Sequence, residues 1–147
     1  MTQSLLDSHC HLADGEFNLD RDAVIERARA AGVTRLLAIG GGETPDEFAS
    51  AIPLAERHDW IWGGAGFHPH EAARVEERHF ERLRELTAHP KVVAIGEIGL
   101  DYHYDFSPRD VQKRSYFLNG LCGNATAAQC AVLKARGLRA RTNAPQL

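Results

Sequence analysis

Four short apolar, β-compatible runs, at residues 5–7, 35–39, 61–66 and 92–95, recur at intervals of roughly 26 to 31 residues, the length of one strand-plus-helix unit. Three of the gaps carry segments of helical period. Residues 21–31 place Ala23, Val24, Ala28 and Ala31 largely on one face and stop at Gly32; residues 47–57 give a second helix despite Pro53; residues 79–88 give a third, with Phe80, Leu83 and Leu86 as its apolar stripe. Strands separated by helices predict a parallel sheet with covered faces, because parallel neighbours need long crossovers and the crossover helices cover the sheet. The expected fold class is therefore α/β, either an open doubly wound sheet or the first half of a (β/α)8 TIM barrel. A full barrel takes about 250 residues, so a chain of 147 supplies roughly half, and an incomplete barrel is the expectation.

Composition narrows the chemistry. Hydrophobic residues make up 44% and charged residues 25%, enough for a real core. No apolar run reaches the length of about 18 residues that a membrane span needs, and no basic segment followed by an apolar stretch opens the chain. A cytoplasmic protein without a membrane partner is expected. The three cysteines, Cys10, Cys122 and Cys130, share no CxxC spacing and read as reduced thiols. With a net charge of −3 and no basic stripe, grip on nucleic acid through counterion release is not expected, so phosphate chemistry here leans on metal ions. The basic stretch at 136–141 reads as a solvated tail. Eight histidines, four of them in two His-x-His pairs, are the compositional sign of a metal site.

Each strand run is followed by polar residues, and those are the candidates. After the first come Asp7, Ser8, His9, Cys10, His11 and Leu12. In an extended segment residues i and i+2 share a face, so His9 and His11 can offer ring nitrogens to one ion while Asp7 orients an imidazole; two surface histidines beside a turn would look the same. After the fourth come Gly96, Glu97, Ile98, Gly99, Leu100 and Asp101, where Glu97 could bridge two ions or simply be solvated or cap a helix. After the third come Gly66, Phe67, His68, Pro69 and His70, where Pro69 holds the preceding residue extended; an imidazole there could contact a phosphate, or the segment is a plain loop. Tyr102, His103 and Tyr104 could stack on an exposed base or serve in packing, and Gly40 to Gly42 could turn amides toward a phosphate or form a turn.

Taken in order, these three segments, followed by Phe106, Ser107 and Pro108, resemble the TatD family of metal-dependent hydrolases over about residues 1–113. The resemblance implies a (β/α)8 barrel of the amidohydrolase type with divalent metal ions, magnesium or zinc and two in number, at the carboxyl rim. It implies deoxyribonuclease activity on a DNA substrate with 3′-to-5′ exonuclease action. Carried over by position, His9 and His11 hold one metal and Glu97 bridges both. Glu97 and His68 serve catalysis, His68, His70 and Tyr102 meet the substrate, and Asp7 and Asp101 support.

The departures begin after Lys113. The family continues through a long helix to later strands that carry two metal-ligand histidines and a late aspartate, whereas no histidine follows His103 here. Residues 114–147 are accordingly expected to be a divergent tail, from a frameshifted, truncated or degenerate end, and the Thr142, Asn143, Ala144, Pro145 stretch reads as coincidence. An inactive metal-binding remnant is the alternative for this chain, and another amidohydrolase-type hydrolase, such as a lactonase, is a third reading that the 96–101 segment argues against. Exposed sheet edges would favour self-association.

Overall fold

The computed structural model describes residues 4–42 and 44–124. All four expected runs are strands: β1 Leu5–Cys10, β2 Val33–Ile39, β3 Ile61–Ala65 and β4 Val92–Ile95. They form one parallel sheet in the order β1-β2-β3-β4. That order decides the architecture. A doubly wound sheet reverses direction at a switch point, whereas each strand here is added on the same side of the last, the progression of a barrel wall. Every carboxyl end consequently lies on one rim.

Helices α1 Arg21–Ala30, α2 Ile52–Glu56, α3 Glu77–Leu86 and α4 Arg109–Asn124 alternate with the strands. Two core clusters result. One gathers Leu12, Ile25, Leu36, Ala38, Leu54 and Ile61 around the first three strands. The other gathers Phe48, Phe67, Phe80, Leu83, Leu86 and Cys122 toward α3 and α4.

Two helix expectations change. In α1 the face turned inward is Arg21, Val24, Ile25 and Ala28, with Ile25 buried, while Ala23 and Ala31 are exposed. An Ile buries more apolar area than an Ala, and the i, i+3, i+4, i+7 stripe rotates to put it inside. The single helix expected at 47–57 is divided. A 3-10 turn spans Pro45–Glu47, closed by Glu47 Oε2 accepting from the Thr44 amide (2.9 Å) and hydroxyl (3.0 Å), and α2 starts only at Ile52. Pro53 lacks an N–H, which an α-helix tolerates only in its first turn, so the helix begins beside it rather than running through it.

The stripe expected of the third helix is present in α3, where Phe80, Leu83 and Leu86 are all buried. Its start is set by His79, whose Nδ1 accepts from the Glu76 amide at 2.8 Å. The expected boundary between Lys113 and Arg114 falls inside α4, whose buried face continues from Gln112 through Ser115, Asn119 and Cys122. Cys130, the basic 136–141 stretch and residues 142–145 lie outside the described residues. Among the described residues no helix is long and apolar enough to cross a membrane.

In the Gly40 to Gly42 stretch the first and last glycines are closely packed and the middle one is not. The Gly40 amide donates to the Gly64 carbonyl (2.9 Å) and the Gly41 amide to Ser50 Oγ (3.1 Å), so neither is turned toward a ligand. A Cβ on Gly40 would lie 2.2 Å from the Phe48 carbonyl oxygen, whereas one on Gly41 meets nothing within 4 Å. Gly40→Ala should therefore lower the unfolding free energy by about 1–3 kcal/mol or more, and Gly41→Ala by less than about 0.5 kcal/mol. Urea titration of the pair checks this, and equal losses would contradict it.

Candidate metal centre

The end of β1 is irregular. Asp7 pairs with Leu36 and Cys10 with Ala38, so three steps on β1 match two on β2, a bulge that re-aims the strand's last side chains. Asp7 stabilises it by accepting from the His9 amide at 3.0 Å, so its carboxylate acts on the backbone of His9 rather than on a ring. His9 Nε2 and His11 Nε2 come within 3.1 Å of each other. Cys10 points the opposite way, its thiol toward the Leu37 carbonyl, and burial pushes its pKa up to about 11, so no thiolate joins the histidines.

Glu97 reaches the same point from the other side of the sheet. β3 and β4 close on each other at their ends, where the Gly96 amide donates to the Ala65 carbonyl (3.0 Å). A Cβ on Gly66 would lie 2.9 Å from the Gly96 nitrogen, so only glycine allows that approach. The Gly96–Glu97 peptide is cis. Glu97 Oε2 then lies 3.7 Å from both His9 Nε2 and His11 Nε2, and its other oxygen, Oε1, lies 3.8 Å from His68 Nε2.

His9, His11 and Glu97 are the one group of donors among the described residues that converge tightly enough for an ion, with all ligand atoms within 4.8 Å. The fit can be tested on distance. An ion bound tetrahedrally at about 2.0–2.2 Å separates its donors by roughly 3.4 Å, and the observed separations of 3.1 and 3.7 Å bracket that value. Two imidazoles and a carboxylate suit zinc and similar divalent ions. The three side chains remain 39–49% exposed, which leaves room for water and substrate beside an ion. A cavity of about 640 Å³, lined in part by His11, Gly41, His68, Glu71 and Glu97, opens next to them.

The third rim segment is held by hydrogen bonds that fix its tautomers. Pro69 starts a 3-10 turn, Pro69–Arg74, and the His70 amide donates to His68 Nδ1 at 3.2 Å. His68 Nδ1 is thus the acceptor, and the ring proton sits on Nε2, facing Glu97. Burial, and next the neighbouring His70, hold the His68 pKa below its ordinary value, so the ring is neutral. His70 Nε2 pairs with Asp101 Oδ2 at 2.5 Å rather than facing Glu97. The His103 amide, first, and the Tyr104 amide keep the Asp101 carboxyl below the usual range, so it stays ionised. The Arg109 guanidinium lies 4.6 Å over the Tyr102 ring.

The TatD related DNase family matches residues 6–132. The chain belongs to that family. Its relatives include an uncharacterized metal-dependent hydrolase, YabD, of Bacillus subtilis, 41% identical over 112 residues, covering 76% of this chain and 43% of that protein. The "3′-5′ ssDNA/RNA exonuclease TatD" of Musicola paradisiaca is 42% identical over 113 residues, covering 76% and 42%. Among solved structures, YJJV, a TatD homolog from Escherichia coli K12, superposes with a TM-score of 0.70 at 27% identity over 94% of this chain and 49% of that one. The chain thus spans less than half the length of the curated relatives it matches, and its four strands are a partial TatD-type barrel.

Sequence reasoning missed the residues that hold this TatD rim in place. Fully buried Gln112 on α4 accepts from the Asp101 amide (2.7 Å) and donates to the carbonyls of Asp101 and Ser107 (both 2.8 Å). Buried Ser107 accepts from the Ala73 amide and donates to the His70 carbonyl, and Asn119 accepts from the Phe67 amide. Their only signal was polar residues at helical spacing on a face that also carries Cys122. Gln112→Ala would strand buried backbone groups and should cost about 3 kcal/mol, with faster hydrogen exchange at the Asp101 amide. Unchanged exchange there would show that the loop is held by something else.

Proposed function

We propose that the chain is the metal-binding half of a phosphodiesterase that hydrolyses single-stranded nucleic acid, DNA foremost, from its 3′ end. The observation that carries this reading is the position of the Glu97 carboxylate, with one oxygen toward His9 and His11 and the other toward His68. A carboxylate shared in that way suits two neighbouring cations, and two-cation sites are the common solution for phosphodiester hydrolysis. The exonuclease naming of the relatives supports the substrate class.

His9, His11 and Glu97 would hold the first ion, and Glu97 through its second oxygen a neighbouring one. Divalent ions at such a centre neutralise charge on the phosphate and lower the pKa of water. The chain's own groups do the rest. His68, neutral and carrying its proton on Nε2, can donate to a phosphate oxygen without adding a charge that would repel an ion. Asp101 fixes the His70 ring, and the His70 amide fixes the tautomer of His68, so positioning passes along His70. We place the protein in the cytoplasm, where free thiols such as Cys10 and Cys122 persist.

A second reading is a metal-binding remnant without activity, for which the three converging donors His9, His11 and Glu97 suffice. Metal content and hydrolysis of single-stranded DNA, measured on one size-fractionated sample, separate the two. The enzyme reading expects one or more divalent ions per chain and cleavage lost in Glu97→Ala, with metal affinity down by more than about 100-fold. Zinc at 100 times its dissociation constant should stabilise the wild type by about 2.7 kcal/mol, and EDTA should remove that gain. Metal binding without cleavage supports the remnant; neither binding nor cleavage sinks both.

We also propose self-association. Among the described residues β1 and β4 are edge strands, and Leu5 and Leu6 on β1 are 47% and 53% exposed. An unpaired parallel edge with exposed apolar residues recruits another chain. Light scattering should find dimers or larger species at micromolar concentration, reduced by Leu6→Lys; a monomer at all concentrations would contradict this.

A further inference from the structure

Among the described residues two aromatic rings stand largely exposed on the rim, touched edge-on by His70 and, for Tyr104, by His103. Tyr104 is 61% exposed and Phe106 66%, and they stack nearly parallel, with centroids 5.3 Å apart and planes at 17°. Rings that serve packing are buried, so this pair contributes little to the core. It is nevertheless held rigidly. Asp101 Oδ1 accepts from the amides of His103 and Tyr104 (2.8 and 3.3 Å). Asp105, at φ 52°, is gripped by Arg109 through both carboxylate oxygens (2.9 and 2.7 Å). Ser107, the next residue but one, is fully buried. An ordered, water-exposed aromatic surface is a stacking platform in wait of a flat ligand.

Its location names the ligand. His70 makes edge-on contacts with Phe106 (4.8 Å), Tyr104 (5.7 Å) and His68 (4.2 Å), so a single imidazole links the ring pair to the side chain that faces Glu97. We propose that Tyr104 and Phe106 seat an unpaired nucleobase next to the scissile phosphate, an inference that rests on the phosphodiesterase reading above. Tyr102 is not part of this stacked pair, and the Arg109 guanidinium lies over one face of its ring. Stacking on an aromatic face tolerates any base but needs that base free of its own duplex neighbour. The pair therefore selects single strands without reading sequence.

The test uses the full chain, EDTA to prevent cleavage, and short single-stranded oligonucleotides carrying 2-aminopurine near the 3′ end or an abasic site at the same position. The wild type should quench 2-aminopurine and bind the base-bearing strand about tenfold more tightly than the abasic one. Tyr104→Leu with Phe106→Leu should abolish the quench and the preference while leaving the circular dichroism melt and abasic binding unchanged, and Phe106→Trp should restore both. No quench, no binding, or a preference that survives the double substitution overturns the platform. So does a change of oligomeric state in the double variant without any base dependence, since the rings would then be a contact between copies. Glu97→Gln keeps the two readings apart. Base-dependent binding in a chain that never cleaves refutes the nuclease and spares the platform; Glu97-dependent cleavage without base preference does the reverse.

Discussion

Parallel pairing of four successive strands sends every carboxyl end to one rim, and the chemistry of this chain follows from that constraint. His9, His68 and Glu97 are far apart in sequence, yet each lies within a few residues of a strand's end, so pairing alone brings them near one another. The final adjustment is local. A bulge in β1 aims two imidazoles at one point, and a glycine contact between the ends of β3 and β4 lets Glu97 reach it.

Much of this was legible. The runs at 61–66 and 92–95 match strands almost to the residue, because short apolar segments bounded by Gly and polar residues have few other uses. β1 ran three residues further than its apolar run, since a bulged strand keeps its ladder through polar residues such as Ser8 and His9. Pro53 stands in the first turn of α2 rather than inside a longer helix, and Ile25 rather than Ala23 and Ala31 anchors α1. The convergence of His9, His11 and Glu97 was legible, as were Asp7 and Asp101 beside them, but not the buried amides behind them. His70 and Asp101 form a pair of their own instead of joining Glu97, and Gln112, Ser107 and Asn119 are polar residues buried on or near a helix, where polarity ordinarily signals solvent.

Those buried amides explain how an exposed rim can be well ordered. Each of the two long loops has its backbone satisfied by side chains at or ahead of α4, and the helix itself is fixed through Cys122 and its core neighbours. The helix that follows the last described strand thus stands in for the packing that loops lack. The same arrangement keeps titratable groups in separate roles: His68 neutral, Asp101 ionised, Cys10 protonated, each from a different neighbour.

The converging donors come from the two edges of the sheet. With strands about 4.8 Å apart, a flat four-strand sheet would hold β1 and β4 roughly 14 Å from one another, a gap that the side chains of His9, His11 and Glu97 close to 3.7 Å. The wall of a partial barrel curves, so the gap between a histidine at one edge and a glutamate at the other depends on that curvature. Cation affinity and curvature are then linked quantities: whatever flattens the wall spreads the donors and loosens their hold, and whatever occupies them acts as a clasp that keeps the wall curved toward closure. An open arc of strands would in this way carry, in three side chains, a tie-rod that resists its own straightening.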